Sequence, residues 1–396
     1  MSQLATSRRL LDRFAHQIVV VVLTNAAFIV CSAQANESEP SNDPVINELI
    51  KQLADDSYAT RTIASQKLLE LAEADANSAL AIETQLAFPN DQNPSLESAL
   101  NRLRLRQLIV IRRQERLLDQ FLTSPTNPEA QPPGWDIFRE HAGSDYDARR
   151  VFVKILQRDR RFGERLLIAE PPNDRTRSFA ATLDGQHLAT FDTIRWSMLL
   201  VRGCEQTDAS QDIRQQQAIL AVLRSEGLGP LLIHDSEQRV FTRLLESYLC
   251  HTQVNLEDRL CIAMRYGCEQ LVETDCRRVL NSVSEPPPRL TVALLAIANQ
   301  RKEIDHDSTL QLAEWLQHYR SDQRVAYVWR AMHPTRKVLR TEVRDVALAV
   351  EIARRGEDPR DFGFGSLQAH PRLGYQPYTL GFETEADRQQ AHRSAW

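Results

Sequence analysis

Cysteine, histidine and clustered acids are the residue types in this chain that could do chemistry, and their spacing decides which chemistry. Five cysteines follow residue 35: Cys204, Cys250, Cys261, Cys268 and Cys276. Cys261 and Cys268 are seven apart, a rise of about 10.5 Å on one helix and too far for a disulfide. Should Gly267 end that helix, Cys261 and Cys276 stand at similar heights across a helical hairpin and could pair. The competing fate is that of small apolar thiols packed in a helical core. Cys250-His251 with Cys261 and Cys268 supplies zinc-type donors, yet no C-x2-C spacing occurs. If the chain is an enzyme of unrecognised type, its site belongs in the region from Cys250 to Cys276.

His234-Asp235-Ser236 and Asp305-His306-Asp307 place catalytic residue types side by side. A triad is assembled in space, and sequence neighbours cannot all face one another. Both stretches read as helix-linking turns, where Asp and Ser are expected as caps. The chain has no G-x-S-x-G, H-E-x-x-H, Walker loop or dinucleotide fingerprint. No catalytic residue, cofactor or metal ligand is therefore assigned from sequence.

Two Arg-rich stretches remain. One holds Arg102, Arg104, Arg106, Arg112, Arg113 and Arg116; the other holds Arg149, Arg150, Arg158, Arg160, Arg161 and Arg165. They would suit an anionic partner, such as an envelope polymer or an acidic protein face. The alternative is a solvated helix surface balanced by neighbouring acids. Of the 48 basic residues only five are lysine: Lys51, Lys67, Lys154, Lys302 and Lys337.

The N-terminus reads as an export signal. Arg8, Arg9 and Arg13 precede an apolar run from Ile18 to Cys31, and Ala33-Gln34-Ala35 supplies small residues for cleavage. The run falls short of the ~20 residues that span a bilayer, so cleavage is expected over an uncleaved anchor. Removing residues 1–35 takes away three Arg and one Asp and moves the net charge from -5 to -7. An acidic balance of this kind does not point to nucleic acid. The mature protein is expected in the periplasm or outside the cell.

With 396 residues, 42% hydrophobic and 26% charged, the chain can bury a core without metals or disulfides. Scarce Gly and 7% aromatic content disfavour a large β-protein. Apolar residues recur at helical spacing almost continuously from Ile46 to Arg355. Leu188, Phe191, Ile194, Met198 and Leu199 predict a helix from about Leu188 to Val201. Trp135 and Phe138 should staple one helix onto Val151, Phe152 and Ile155.

A weak repeat sets the expected architecture. Asp56, Thr60, Arg61, Ala64 and Leu68 give D-x3-[VT]-R-x2-A-x3-L. Asp91, Ala99 and Leu103 recur 35 residues later, and Val343-Arg344-Asp345-Val346-Ala347 repeats the V-R-x2-A core. This pattern resembles the second helix of a HEAT repeat, and the C-terminal run also looks like uncharacterised secreted bacterial proteins of that kind. The resemblance implies an all-α fold of HEAT/armadillo-like antiparallel helix pairs in an irregular superhelix, with Ala at close helix contacts and Arg tying repeats together. The expected organisation is a signal peptide at 1–35, a disordered lead-in at 36–45 and N-terminal HEAT-like helices at 46–131. A helical hairpin at 132–172, a middle helical array at 173–285 and C-terminal HEAT-like helices at 286–359 follow. An aromatic-rich capping tail with little regular structure closes the chain at 360–396. Such a protein would act as a non-catalytic scaffold, binding a macromolecular partner, most simply a protein, through its surface.

Overall fold

The computed structural model describes residues 43–87, 96–124, 130–160, 162–167, 191–205, 213–225, 235–282, 284–300, 306–331 and 337–395. The expected leader lies outside them. Among the described residues the chain is mostly helical, and no helix is long and apolar enough to cross a membrane. It divides into two compact units between Gln120 and Phe121.

In the first unit, α1 (Pro44–Gln52) starts inside the segment expected to be disordered. The reason is local: Asp43 accepts a hydrogen bond from the Val45 N–H at 2.9 Å, and Pro44 occupies the first helical position, where its missing N–H costs nothing. Ser57 caps α2 (Tyr58–Ala74), and the Asp75 carboxylate accepts from the Ser78 N–H at the start of α3 (Ala76–Ala87). Ala64, Leu68 and Ala72 stack along one face of α2, at intervals of four residues, and are buried. They meet Ile46, Leu49 and Leu53 from the first helix, Ala79, Ile82 and Leu86 from α3, and Leu105 and Ile109 from α4 (Leu96–Thr123).

The second copy of the repeat is not in register. Ala99 is exposed and Leu103 half-buried, while Ser98, Arg102, Leu105 and Ile109 turn inward. One residue of offset rotates a helix by about 100°, which carries the expected seam off the core face. Asp91 lies outside the described residues.

The boundary falls inside α4 rather than at Pro132-Pro133 because Phe121 belongs to an aromatic cluster of the second unit. Its ring lies 4.9 Å from Trp135, and Trp135 and Phe138 lie 5.5 and 4.9 Å from Phe152. These rings join α5 (Trp135–Ala142) to α6 (Tyr146–Arg158), whose cap is Asp145, with α7 (Phe162–Leu167) beside them. Next come α8 (Thr193–Glu205), α9 (Ile213–Arg224) and α10 (Asp235–His251). The helix expected from Leu188 is described only from Thr193 and runs on past Val201 to Glu205. Helix α10 touches α5, α6, α8 and α11 (Leu256–Tyr266). Gly203 permits one of those contacts, because a Cβ there would stand 2.5 Å from Tyr248 Cε2.

Gly267, at φ +74°, ends α11 before α12 (Glu269–Leu280). Helix α13 (Pro287–Asn299) is buried without a break from Leu290 to Ala296, a run apolar on every side but for Thr291, whose hydroxyl donates to the Pro288 carbonyl at 2.8 Å. It lies against α11, α12 and α15 (Val343–Arg354); α14 (His306–Tyr319) also packs on α15.

Residues 286–359 are not all helical. Strands β1 (Val325–Ala331) and β2 (Lys337–Glu342) form an antiparallel pair with an irregularity between Val325 and Tyr327. Val325, Tyr327, Val328 and Trp329 favour the pleated surface, and Pro334 in the connecting sequence would break a helix there. Val343 therefore opens α15 directly after a strand, with Glu342 and Asp345 forming a reciprocal cap. The V-R-x2-A core sits at a helix start; Val343 and Ala347 are buried, and Arg344 pairs with Glu342 and Glu385.

The tail is more ordered than its composition suggests. A short β3 (Ala369–His370) pairs with β4 (Gly374–Tyr375), and α16 (Glu385–Ala395) follows. Phe364 and Phe382 pack at 4.8 Å. Phe382 also exchanges both backbone hydrogen bonds with Arg340 of β2, at 3.0 and 3.2 Å. Gly381 allows that approach, since a Cβ would fall 2.6 Å from the Arg340 carbonyl.

Candidate functional site

The first unit leaves apolar side chains at solvent beside positive charge. An open cleft of about 280 Å³ lies between α2 and α4, lined by Tyr58, Arg61 and Thr62 on one side and Asn101, Arg104 and Leu108 on the other. Tyr58 is 75% exposed and Leu108 41%; Leu100, one turn before Arg104, is also 41% exposed. Spacing of four residues puts Leu100, Arg104 and Leu108 on one face of the helix.

Arg61 ties the cleft together. Its guanidinium donates to the carbonyls of Asp55 and Asp56 at 2.8 and 3.1 Å and pairs with Glu97 at 2.6 Å. The loop before α2 is thereby joined to the first turn of α4. Glu97 near a helix N-terminus is also favourable to the dipole. Asp56 contributes its backbone to this arrangement.

Much of the first Arg-rich stretch is spent inside the unit. Arg102 is buried, Arg112 pairs with Glu73, Arg113 pairs with Glu83 at 3.2 Å, and Arg116 donates to the carbonyl of Ala72 at 3.2 Å. Arg104 is exposed at the cleft. In the second stretch Arg149 is buried and donates to the Phe121 carbonyl at 3.3 Å, and Arg158 pairs with Asp192. The side chains of Arg161 and Arg165 lie outside the description.

The cysteines stay unpaired, most of them as small thiols packed among helices. Cys261 and Cys276 are separate thiols, and Cys204, Cys250 and Cys268 are free as well. Cys276 is buried against the backbone at Ile297 of α13, and Cys261 is half-buried on α11. Burial pushes the Cys204 and Cys261 thiols up to about 12 and raises those of Cys268 and Cys276 too. A nucleophilic thiol needs the opposite shift. Nor do Cys250, Cys261 and Cys268 converge as donors: Cys268 turns to the Thr242 carbonyl at 3.9 Å.

The thiol that does meet histidines is Cys204, which lies with His141 and His251. Three different helices supply them, and no local spacing announces the grouping. The side chains of the stretches at 234–236 and 305–307 are outside the description except for Ser236, half-buried in the first turn of α10.

No protein-family model matches the chain, and no curated protein or solved structure matches it either.

Proposed function

We propose that this is an exported, HEAT-like helical protein that binds a protein partner through the cleft between α2 and α4. The observation that carries the reading is the row of exposed apolar side chains, Tyr58, Leu100 and Leu108, set beside Arg61 and Arg104. Apolar groups held at solvent around a groove lose water-exposed area when a partner covers them. Arg104, exposed at the cleft while Arg61 is held by Glu97 and two carbonyls, suits a carboxylate on that partner, so its contact segment is amphipathic, apolar on one side and acidic on the other. Binding by surface complementarity needs no catalytic signature.

The test is capture from the native envelope fraction on immobilised protein, with Leu100→Glu/Leu108→Glu as the comparison. The wild type retains a discrete partner and the double variant loses it, with far-UV circular dichroism unchanged. Equal capture by both would place binding elsewhere and end this reading.

A further inference from the structure

His141, Cys204 and His251 converge in the second unit from α5, α8 and α10. One nitrogen from each ring and the sulfur lie within 4.8 Å of one another. Their second contacts are already arranged. His141 Nε2 faces Glu205 Oε1 at 2.7 Å, and His251 Nδ1 faces the Ser247 carbonyl, also at 2.7 Å. A carboxylate and a carbonyl only accept, so in each neutral ring the facing nitrogen carries the proton. His141 Nδ1 and His251 Nε2 are thus left with their lone pairs. The Ser247 hydroxyl lies 2.7 Å from His141 Nδ1 and is in hydrogen-bond contact with Cys204.

We propose that these three side chains form a site for a zinc-class divalent ion, bound by His141 Nδ1, His251 Nε2 and the Cys204 thiolate. Two imidazoles and one thiolate are a borderline-soft set suited to zinc. Metal-bound histidines commonly give their other N–H to a carboxylate or a backbone carbonyl, and both kinds are present here. Zinc–sulfur and zinc–nitrogen bonds of ~2.3 and ~2.0 Å put tetrahedral donors about 3.5 Å apart, and the three donors here already lie within 4.8 Å of one another. Binding releases the Cys204 proton to solvent and replaces the contacts that His141 Nδ1 and Cys204 make with the Ser247 hydroxyl. Three protein donors leave a fourth position for that hydroxyl or for water.

Ser247 and His251 are one turn apart at the end of α10, and His251, in the last turn of the helix, is exposed. Gly203 lets α8 sit close to α10, bringing Cys204 within reach. Cys250, next in sequence to His251, belongs to no such grouping among the described residues.

Cobalt(II) is the probe, added to untagged protein in a non-thiol reductant. One equivalent per chain gives a thiolate-to-cobalt charge-transfer band and intense tetrahedral d–d bands, and zinc displaces them. Cys204→Ser abolishes the charge-transfer band, and His251→Gln, at an exposed position, weakens binding at least tenfold. Glu205→Gln lowers affinity ~10–100-fold, the usual effect of losing a ligand's outer partner. Cys250→Ser leaves the spectrum unchanged. Absence of the charge-transfer band in the wild type, or its persistence in Cys204→Ser, would overturn the assignment. So would a band lost in Cys250→Ser and kept in His251→Gln.

Discussion

Arg388 shows how much one side chain can organise. Its Nε lies 3.0 and 3.2 Å from the two oxygens of Asp345, its Nη2 donates to the Arg340 carbonyl at 2.7 Å, and Glu342 and Glu385 complete the surroundings. Asp345 has no exposure and also caps α15, accepting from the Glu342 N–H at 2.8 Å. Removing the guanidinium takes the main counter-charge from the buried Asp345 carboxylate and leaves it the Glu342 N–H and His392 at 3.3 Å, so Arg388→Ala should cost ~3–5 kcal/mol in urea denaturation. Arg388→Lys should recover little of this, because a single ammonium cannot fork between the carboxylate and the carbonyl. Recovery to wild-type stability would show that charge alone suffices. Asp145 offers a pH test. Its hydrogen bond to Arg243, aided by the Ala148 N–H, holds its pKa below the usual aspartate value despite partial burial. The folded value lies below the unfolded one, so this contribution to stability is complete above about pH 4 and is lost as pH falls through the lowered value. Arg243→Met should return the Asp145 titration toward the ordinary range in an NMR titration and make acid unfolding less dependent on this group. An unchanged Asp145 titration would contradict the role given to Arg243.

Elements are held by faces, and the alanines of the repeat test which faces are real. Ala64 and Ala347 are buried at 0% and 2% exposure, on α2 and α15. Leucine at either position adds three heavy atoms to a packed contact and should cost ~1–3 kcal/mol while leaving the helical spectrum intact. Ala99 occupies the same place in the repeat and is exposed, so Ala99→Leu should stay within ~0.5 kcal/mol, as should Gln66→Leu. Chemical denaturation of the four variants distinguishes burial from repeat register. A loss at Ala99 equal to that at Ala64 would mean that α4 presents the repeat face after all. The β-hairpin is the other lesson at this scale. Tyr327 reaches the Pro288 carbonyl at 3.4 Å and Trp329 packs 5.3 Å from Tyr378, so its aromatics are anchored by α13 and the tail. An isolated two-stranded hairpin is marginal in water, and such support is what stabilises it.

At the scale of the whole molecule, covalent state and processing meet in one measurement. The described cysteines are all free, and the N-terminal signal predicts a mature chain beginning at or near Asn36. Intact mass of the native protein, denatured and alkylated without reductant, should correspond to a chain starting at about Asn36 with five modified thiols. A mass two alkyl groups short would mean that a disulfide has formed. An intact Met1 would count against the proposed export. Export and partner binding are linked in the proposed function, since the partner is sought in the envelope.

Sequence alone determined that this chain is dominated by helices, because periodic apolar residues, capping side chains and scarce glycine are local signals. It located the aromatic staple of Trp135 and Phe138 on Phe152 for the same reason, as the rings lie on two amphipathic helices joined by a short turn. The hairpin was hidden because the short apolar stretches on either side of Pro334 fit helix or strand by spacing alone, and the choice depends on α13, Tyr378 and the paired backbone of Phe382. The offset of Ala99 was hidden because a helix can turn any face inward, and only the packed core selects one. The grouping of His141, Cys204 and His251 was least legible of all. Nothing along the chain links three helices, and only tertiary packing, with the close approach at Gly203, decides that these side chains meet.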